Sequence, residues 1–224
     1  MIENFLQFLM GMVDSYLVAH LGLVALSGVA VANNLITIFQ AIFLALGSAI
    51  SVLLASLVDR QDSEKLANQA VEALKLTLLI SLVLGMFSLL AGPSFLLFLG
   101  AEKTVANAGG IYLALVGGHI VFLGLMTSLG AILRALGKSQ LPMYVSLLSN
   151  LLNALFSALG VFVFQAGILG VAVGTILARI IACFILWKQL PFKLAKPSWT
   201  LDRKLIGLAM PAAAERLMMR AGDV

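Results

Sequence analysis

The stretch Met10-Gly-Met-Val-Asp-Ser-Tyr-Leu-Val-Ala-His-Leu-Gly22 sets one carboxylate, Asp14, inside the apolar run from Phe5 to Val18. A carboxylate in hydrocarbon is costly on every scale, so a residue of this kind faces a bundle interior or a watery cavity and marks an ion or substrate pathway. In a helix, steps of four and seven return to nearly the same angle, so Glu3, Gln7 and Asp14 point one way. That face reads either as an ion-binding or proton-accepting wall, or as an interfacial anchor at Glu3 with Asp14 near the far headgroups and the helix ending by His20.

Composition makes the same demand of the rest of the chain. It is 62% hydrophobic and 11% charged, roughly half the charged share of a soluble domain. The chain reads as an all-α integral membrane protein with no room for a second, soluble domain. A bilayer core of about 30 Å takes about 20 helical residues, which allows about six crossings. Hydropathy places these spans at about 1–19, 25–57, 74–99, 108–133, 141–164 and 168–190, one transmembrane bundle over 1–190. As a single helix the second run would measure about 50 Å, so its first turns lie at the interface or tilt. Residues 191–204 follow as a polar linker interrupted by Pro191 and Pro197, and 205–224 turn apolar again as the start of a seventh helix. The chain reads as a piece with its first helix clipped and its seventh only begun.

The polar breaks carry punctuation and charge. Ser63 caps a short surface helix in Val58–Asn68, Gly137 ends the fourth span, and Pro142 opens the fifth. Arg60, Lys65 and Lys75, then Arg134 and Lys138, then Lys188, Lys193, Lys196, Arg203 and Lys204 all fall on one side, against Lys103 on the other. The positive-inside rule makes the richer side cytoplasmic, which puts the N-terminus there too and predicts a multi-pass protein of the plasma membrane. The formal charge of +4 then needs no nucleic-acid partner, since no clustered basic face with groove-reading elements exists. Met-Ile-Glu-Asn lacks the positive start of a cleaved export signal. The single Cys183 excludes a disulfide framework or a CxxC metal site. No GxxxxGK[ST], GxGxxG after a strand, HExxH or GxSxG occurs, so no cofactor and no enzyme is expected.

Other polar side chains sit within the spans. Ser146, Ser149, Asn150, Asn153 and Ser157 form a stripe one helical face wide on span five, either a functional wall or interhelical glue. Asn33 and Asn34 point about 100° apart, so at most one is functional; Gln40 shares the face of Asn33 and favours it. Tyr112 and His119, seven apart, share a face of span four. His119 is a candidate proton carrier or a satisfied buried histidine. Arg179 lies mid-span on the sixth helix, where an unpaired charge is expensive. Gly124 with Ser128, and Gly170 with Gly174, have the spacing of close helix packing.

Gln7, Val13-Asp-Ser-Tyr-Leu-Val-Ala-His-Leu-Gly22, Ala25-Leu26 and Ala30-Val-Ala-Asn33 together resemble the first hairpin of the multidrug and toxic compound extrusion (MATE) family. Tyr112-Leu113, Leu133-Arg-Ala-Leu-Gly-Lys-Ser-Gln-Leu-Pro-Met143 and Asn150-Leu-Leu-Asn153 leading to Gly167-Ile-Leu-Gly-Val-Ala-Val-Gly-Thr175 agree in order and register. The resemblance implies the N-terminal six-helix bundle of a twelve-helix, pseudo-symmetric antiporter, with Pro211 and Glu215 opening the second bundle. It implies export of cationic amphiphilic drugs or toxic compounds in exchange for sodium or protons, by alternating access. Under it Asp14 binds the coupling ion, sodium included, supported by Gln7, Asn153 and Tyr112. Asn33, Gln40, Asn150, Ser157 and His119 are expected around the substrate. Ser157 stands where some members carry a second aspartate. Partners are then the cationic substrate, the bilayer and a C-terminal half. The alternatives are a lipid-linked oligosaccharide flippase, which would need several basic cavity residues, and an inactive half-transporter.

Overall fold

With no water in hydrocarbon, backbone groups must be satisfied within the segment, and apolar sequence of this kind can do so only as helix. The computed structural model describes residues 12, 15–58, 63–98, 100–191, 207, 210–212, 214, 215 and 218. Their regular elements are a helical turn at 15–19 (α1), α2 Leu23–Val58, α3 Ser63–Phe98, α4 Lys103–Tyr112 running into a π turn at Leu113–Gly117, α5 Val121–Ala135, α6 Gln140–Ala158 running into a π turn at Leu159–Val163, and α7 Gly167–Lys188. Among the described residues, α2, α3, α6 with its π turn, and α7 are each long and apolar enough to cross a membrane; α4 with its π turn and α5 form a fifth, broken span bent by 45°. Glu3, Gln7, Asp14 and most of the linker at 191–204 lie outside the described residues.

α3 runs unbroken from Ser63 to Phe98, so the surface helix suggested by the sequence at Ser63 is continuous with the span that follows it. Glu72 and Lys75, one turn apart, pair at 2.6 Å, so these charges lie on the helix itself. α5 closes on Gly137, whose φ of 78° is in the left-handed region. Lys138 N–H reaches Leu133 O at 2.9 Å and Gly137 N–H reaches Arg134 O at 3.0 Å, a Schellman closure. Pro142 sits in the first turn of α6, where its missing N–H costs no intrahelical bond.

Two apolar clusters stack along the bundle axis. One gathers Val29, Phe43, Leu96, Leu113, Val161 and Val171. The other gathers Leu54, Leu74, Ile132, Leu133, Val145 and Leu186 at the end where Lys138 Nζ bonds Gln189 O across 3.3 Å. α5 packs against α2, α3, α6 and α7. Lipid tails are as apolar as leucine, so close backbone approach and interhelical hydrogen bonds must hold such a bundle. Both are present. A Cβ on Gly28 would stand 2.6 Å from Gly109 N, and one on Gly110 would stand 2.8 Å from Pro93 Cγ, so α4 nests on α2 and α3 only through glycine. Gly124 faces Phe43 and Ser81, where a Cβ would meet atoms at 2.7 and 2.8 Å.

Thr77 of α3 and Ser128 of α5, both fully buried, meet at 2.6 Å. Thr77 donates its proton to Ala73 O at 2.8 Å, so Ser128 is the donor between the two hydroxyls. Thr77→Val orphans the Ser128 proton and is expected to cost about 1–2 kcal/mol. Adding Ser128→Ala should recover part of that loss, because removing both partners leaves nothing unsatisfied. Thermal unfolding in detergent checks the order; a double variant less stable than Thr77→Val alone would refute it.

Candidate functional site

The polar side chains of α2 and α4 meet in one cavity of about 240 Å³, lined by Ser15, Val18, Leu26, Val29, Ala30, Asn33, Tyr112 and Val171. Ser15 directly follows Asp14 in the chain. Asn33 is set in the wall by the unbroken register of α2, with Val29 and Ala30 one turn before it. Tyr112 is the last residue of α4 before the π turn and is buried. Among the described residues the lining combines two hydroxyls and one carboxamide with five aliphatic side chains and holds no basic residue. A second concavity, of about 270 Å³ between α6 and α7, is lined by residues such as Phe156, Leu159, Phe164 and Leu169, with no polar side chain.

Beside the cavity wall, α6 and α7 carry a hydrogen-bonded triad. Thr175 donates to Asn153 Oδ1 at 3.0 Å, and Ser157 donates to the same oxygen at 3.2 Å. Thr175 also reaches Val171 O at 3.0 Å, and Val171 lines the cavity one turn away. Glycine lets the two helices approach this closely: a Cβ on Gly174 would stand 2.7 Å from Ser157 N, and one on Gly160 would stand 2.6 Å from Gly170 Cα. Ser157 is fully buried and Thr175 nearly so. Leaving such a hydroxyl without an acceptor would cost about 1–3 kcal/mol.

The residues singled out in the sequence are distributed as follows. Asn33 and Tyr112 share the cavity; Asn153 and Ser157 share the triad. Asn150 is half-buried on α6 and is not a lining residue of the cavity. Gln40 is exposed two turns from Asn33 and also outside the lining. Asp14 and Gln7 lie outside the described residues. The shared face of Tyr112 and His119 is not observed: Tyr112 is buried, whereas His119 is exposed at the bend, its Nδ1 2.9 Å from Leu115 O. A π turn closes its bonds on the fifth residue and takes up an extra residue, so seven positions no longer complete two turns. Thr175 is the residue that sequence reasoning passes over. It lies in the quoted Gly167–Thr175 stretch, but a single threonine in a span has a ready local acceptor four residues back and gives no signal by itself.

Among the described residues no three His, Cys, Asp or Glu side chains stand close enough to share a metal ion. The groups brought together are hydroxyls and carboxamides, which bind, orient and exchange hydrogen bonds.

Comparison with known proteins places this architecture. The "Probable multidrug resistance protein NorM" of Thermotoga maritima is 26% identical over 232 residues, covering 98% of this chain and 50% of that protein. The "Probable multidrug resistance protein YpnP" of Bacillus subtilis is 26% identical over 230 residues, covering 99% of this chain and 52% of that protein. The chain thus spans about half the length of the curated relatives it matches. Among solved structures, a multidrug resistance MATE family transporter of the MOP superfamily in an inward-facing conformation superposes with a TM-score of 0.86 at 21% identity, covering 96% of this chain and 51% of that one. A MOP superfamily transporter from Pyrococcus furiosus superposes at 0.85 with 19% identity, covering 98% of this chain and 50% of that one. The profile of the MatE family matches residues 1–159. The chain therefore belongs to the multidrug and toxic compound extrusion family of multi-pass membrane transporters and has the architecture of its N-terminal helical bundle.

Proposed function

We propose that this chain is the N-terminal half of a cation-coupled antiporter that exports cationic amphiphilic compounds across the plasma membrane. The observation that carries the reading is the cavity: three polar side chains among aliphatic ones, with no basic residue among the described lining residues, beginning at Ser15, which follows Asp14 in the chain. Such a mixed lining suits a molecule with an apolar body and one cationic group. The relatives' names, both multidrug resistance proteins, point the same way. In this reading the basic loops and the N-terminus are cytoplasmic, and a second bundle rocks against this one around the cavity. Asp14, supported by Gln7, Tyr112 and Asn153, takes up the coupling ion and thereby releases the drug.

Expression of the whole transporter is expected to lower cellular accumulation of ethidium. Unchanged accumulation at a verified membrane level would defeat the reading. Arg179→Ala is expected to leave export within about twofold, since a cationic cargo needs no basic partner. A flippase moving an anionic pyrophosphate would instead lose its transport.

A further inference from the structure

A lysine at the end of a membrane span ordinarily carries its ammonium away from hydrocarbon toward water. The Nζ of Lys188, the last residue of α7, instead lies 4.4 Å from the centroid of the Phe184 ring, one turn back into the span. Phe184 is itself 58% exposed, so ring and ammonium belong to an outward face of the bundle. A ring answers one side of an ammonium, which has three N–H donors. A second ammonium comes to the same helix end: Lys138, from the loop between α5 and α6, donates to Gln189 O across 3.3 Å. That bond answers the negative end of the α7 dipole and uses one donor of Lys138. Neither ammonium has a carboxylate partner among the described residues. Two cations with donors to spare thus stand at one rim, next to the half-exposed indole of Trp187, a ring of the type that gathers at headgroup level.

Apolar surface runs from this rim toward the middle of the membrane. Phe184, Ile180, Leu177 and Val173 recur every three or four residues, so they share one face of α7, and each is exposed. Leu177 and Val173 also line the concavity of about 270 Å³ between α6 and α7, which has no polar side chain. Leu177 precedes Lys188 by eleven residues, about 16 Å of helix at 1.5 Å per residue; half of a hydrocarbon core is about 15 Å. The track is as long as a lipid tail in one leaflet, with cations at one end and an apolar groove at the other. We infer that the end of α7 binds an anionic phospholipid, its phosphate held by Lys188 and Lys138 and one tail lying along Phe184, Ile180 and Leu177 to the mouth of the groove. The phosphate supplies acceptors that these ammonium groups lack. A zwitterionic headgroup fits less well, because it brings a cation of its own to a rim that already holds two. A soluble phosphate would answer the cations but leave the track uncovered. The site lies apart from the cavity of Asn33 and Tyr112 and does not depend on which compound is exported.

The intact transporter, purified in detergent and stripped of lipid, is titrated with dioleoylphosphatidylglycerol and with dioleoylphosphatidylcholine, and bound lipid is counted by native mass spectrometry. Phosphatidylglycerol is expected to bind about tenfold more tightly than phosphatidylcholine, or better. Lys188→Gln should weaken phosphatidylglycerol about fivefold, the worth of one lysine near an anionic lipid surface. Lys138→Gln should do the same. Lys188→Arg keeps the charge and should stay within about twofold of the unchanged protein. Phosphatidylcholine should bind alike in every variant. Equal binding of the two lipids by the unchanged protein overturns the inference, and that comparison needs no variant to fold. An unchanged preference in Lys188→Gln or in Lys138→Gln overturns it too. A loss in Lys188→Arg as deep as that in Lys188→Gln would assign the effect to packing, with the same consequence. Glycerol phosphate that displaced the lipid at equal concentration would make this a site for a free anion and end the lipid assignment.

Discussion

Asp14→Asn is expected to abolish ethidium export while the protein remains in the membrane at its normal level. Between residues 5 and 57 Asp14 is the only acidic side chain, set in an apolar run of the sequence. Asparagine keeps its size and hydrogen bonding but carries no exchangeable charge, so a site that alternates between an ion and a cationic drug loses what both bind. The expected fall is about tenfold or more, to the level of cells without the transporter. Ethidium accumulation, measured beside the membrane level of each variant, checks it. Normal export by Asp14→Asn would remove Asp14 from the mechanism.

Gly170→Leu is expected to prevent assembly of the bundle. A Cβ at this position would stand 2.7 Å from Gly160 C, and the facing atoms are backbone, which cannot rotate away. Overpacking of a dense contact costs about 1–3 kcal/mol where neighbours can shift and more where they cannot. Forcing α6 from α7 would also break the Thr175 to Asn153 bond, so the structural loss and the loss of the triad arrive together. Leu169, the neighbouring residue, is 51% exposed, and Leu169→Ala should be close to silent. Size-exclusion profiles and thermal unfolding in detergent separate the two variants; a Gly170→Leu protein that melts like the unchanged one would refute the contact.

Much of the packing could be read from spacing. Gly170 and Gly174, four apart, lie on the α6 contact, and Gly124 and Ser128 lie on the α3 contact. Gly137 closes a helix where the pattern of the loop asks for it. Asn33 was singled out over Asn34 because Gln40 shares its face; it lines the cavity, and Gln40 does not. The polar stripe of span five divides: Asn153 accepts from Thr175 of α7 and from Ser157 within α6, and Asn150 stands apart from the cavity.

Sequence alone determined that this chain lies in a membrane, that it is helical, and which residues break its helices. These properties depend on local composition, because hydrocarbon admits few backbone solutions and glycine and proline act where they stand. Tertiary structure alone decided the register of span four and the bond that joins α6 to α7 at Asn153. The π turn at Leu113–Gly117 sits where Ser88 presses on Gly117 and Leu89 on Gly118, and it separates His119 from Tyr112. The Asn153 oxygen accepts from the hydroxyl of Thr175, 22 residues away along the chain, which only helix packing brings near. Both are settled by contacts between helices, and no pattern within one helix carries that information.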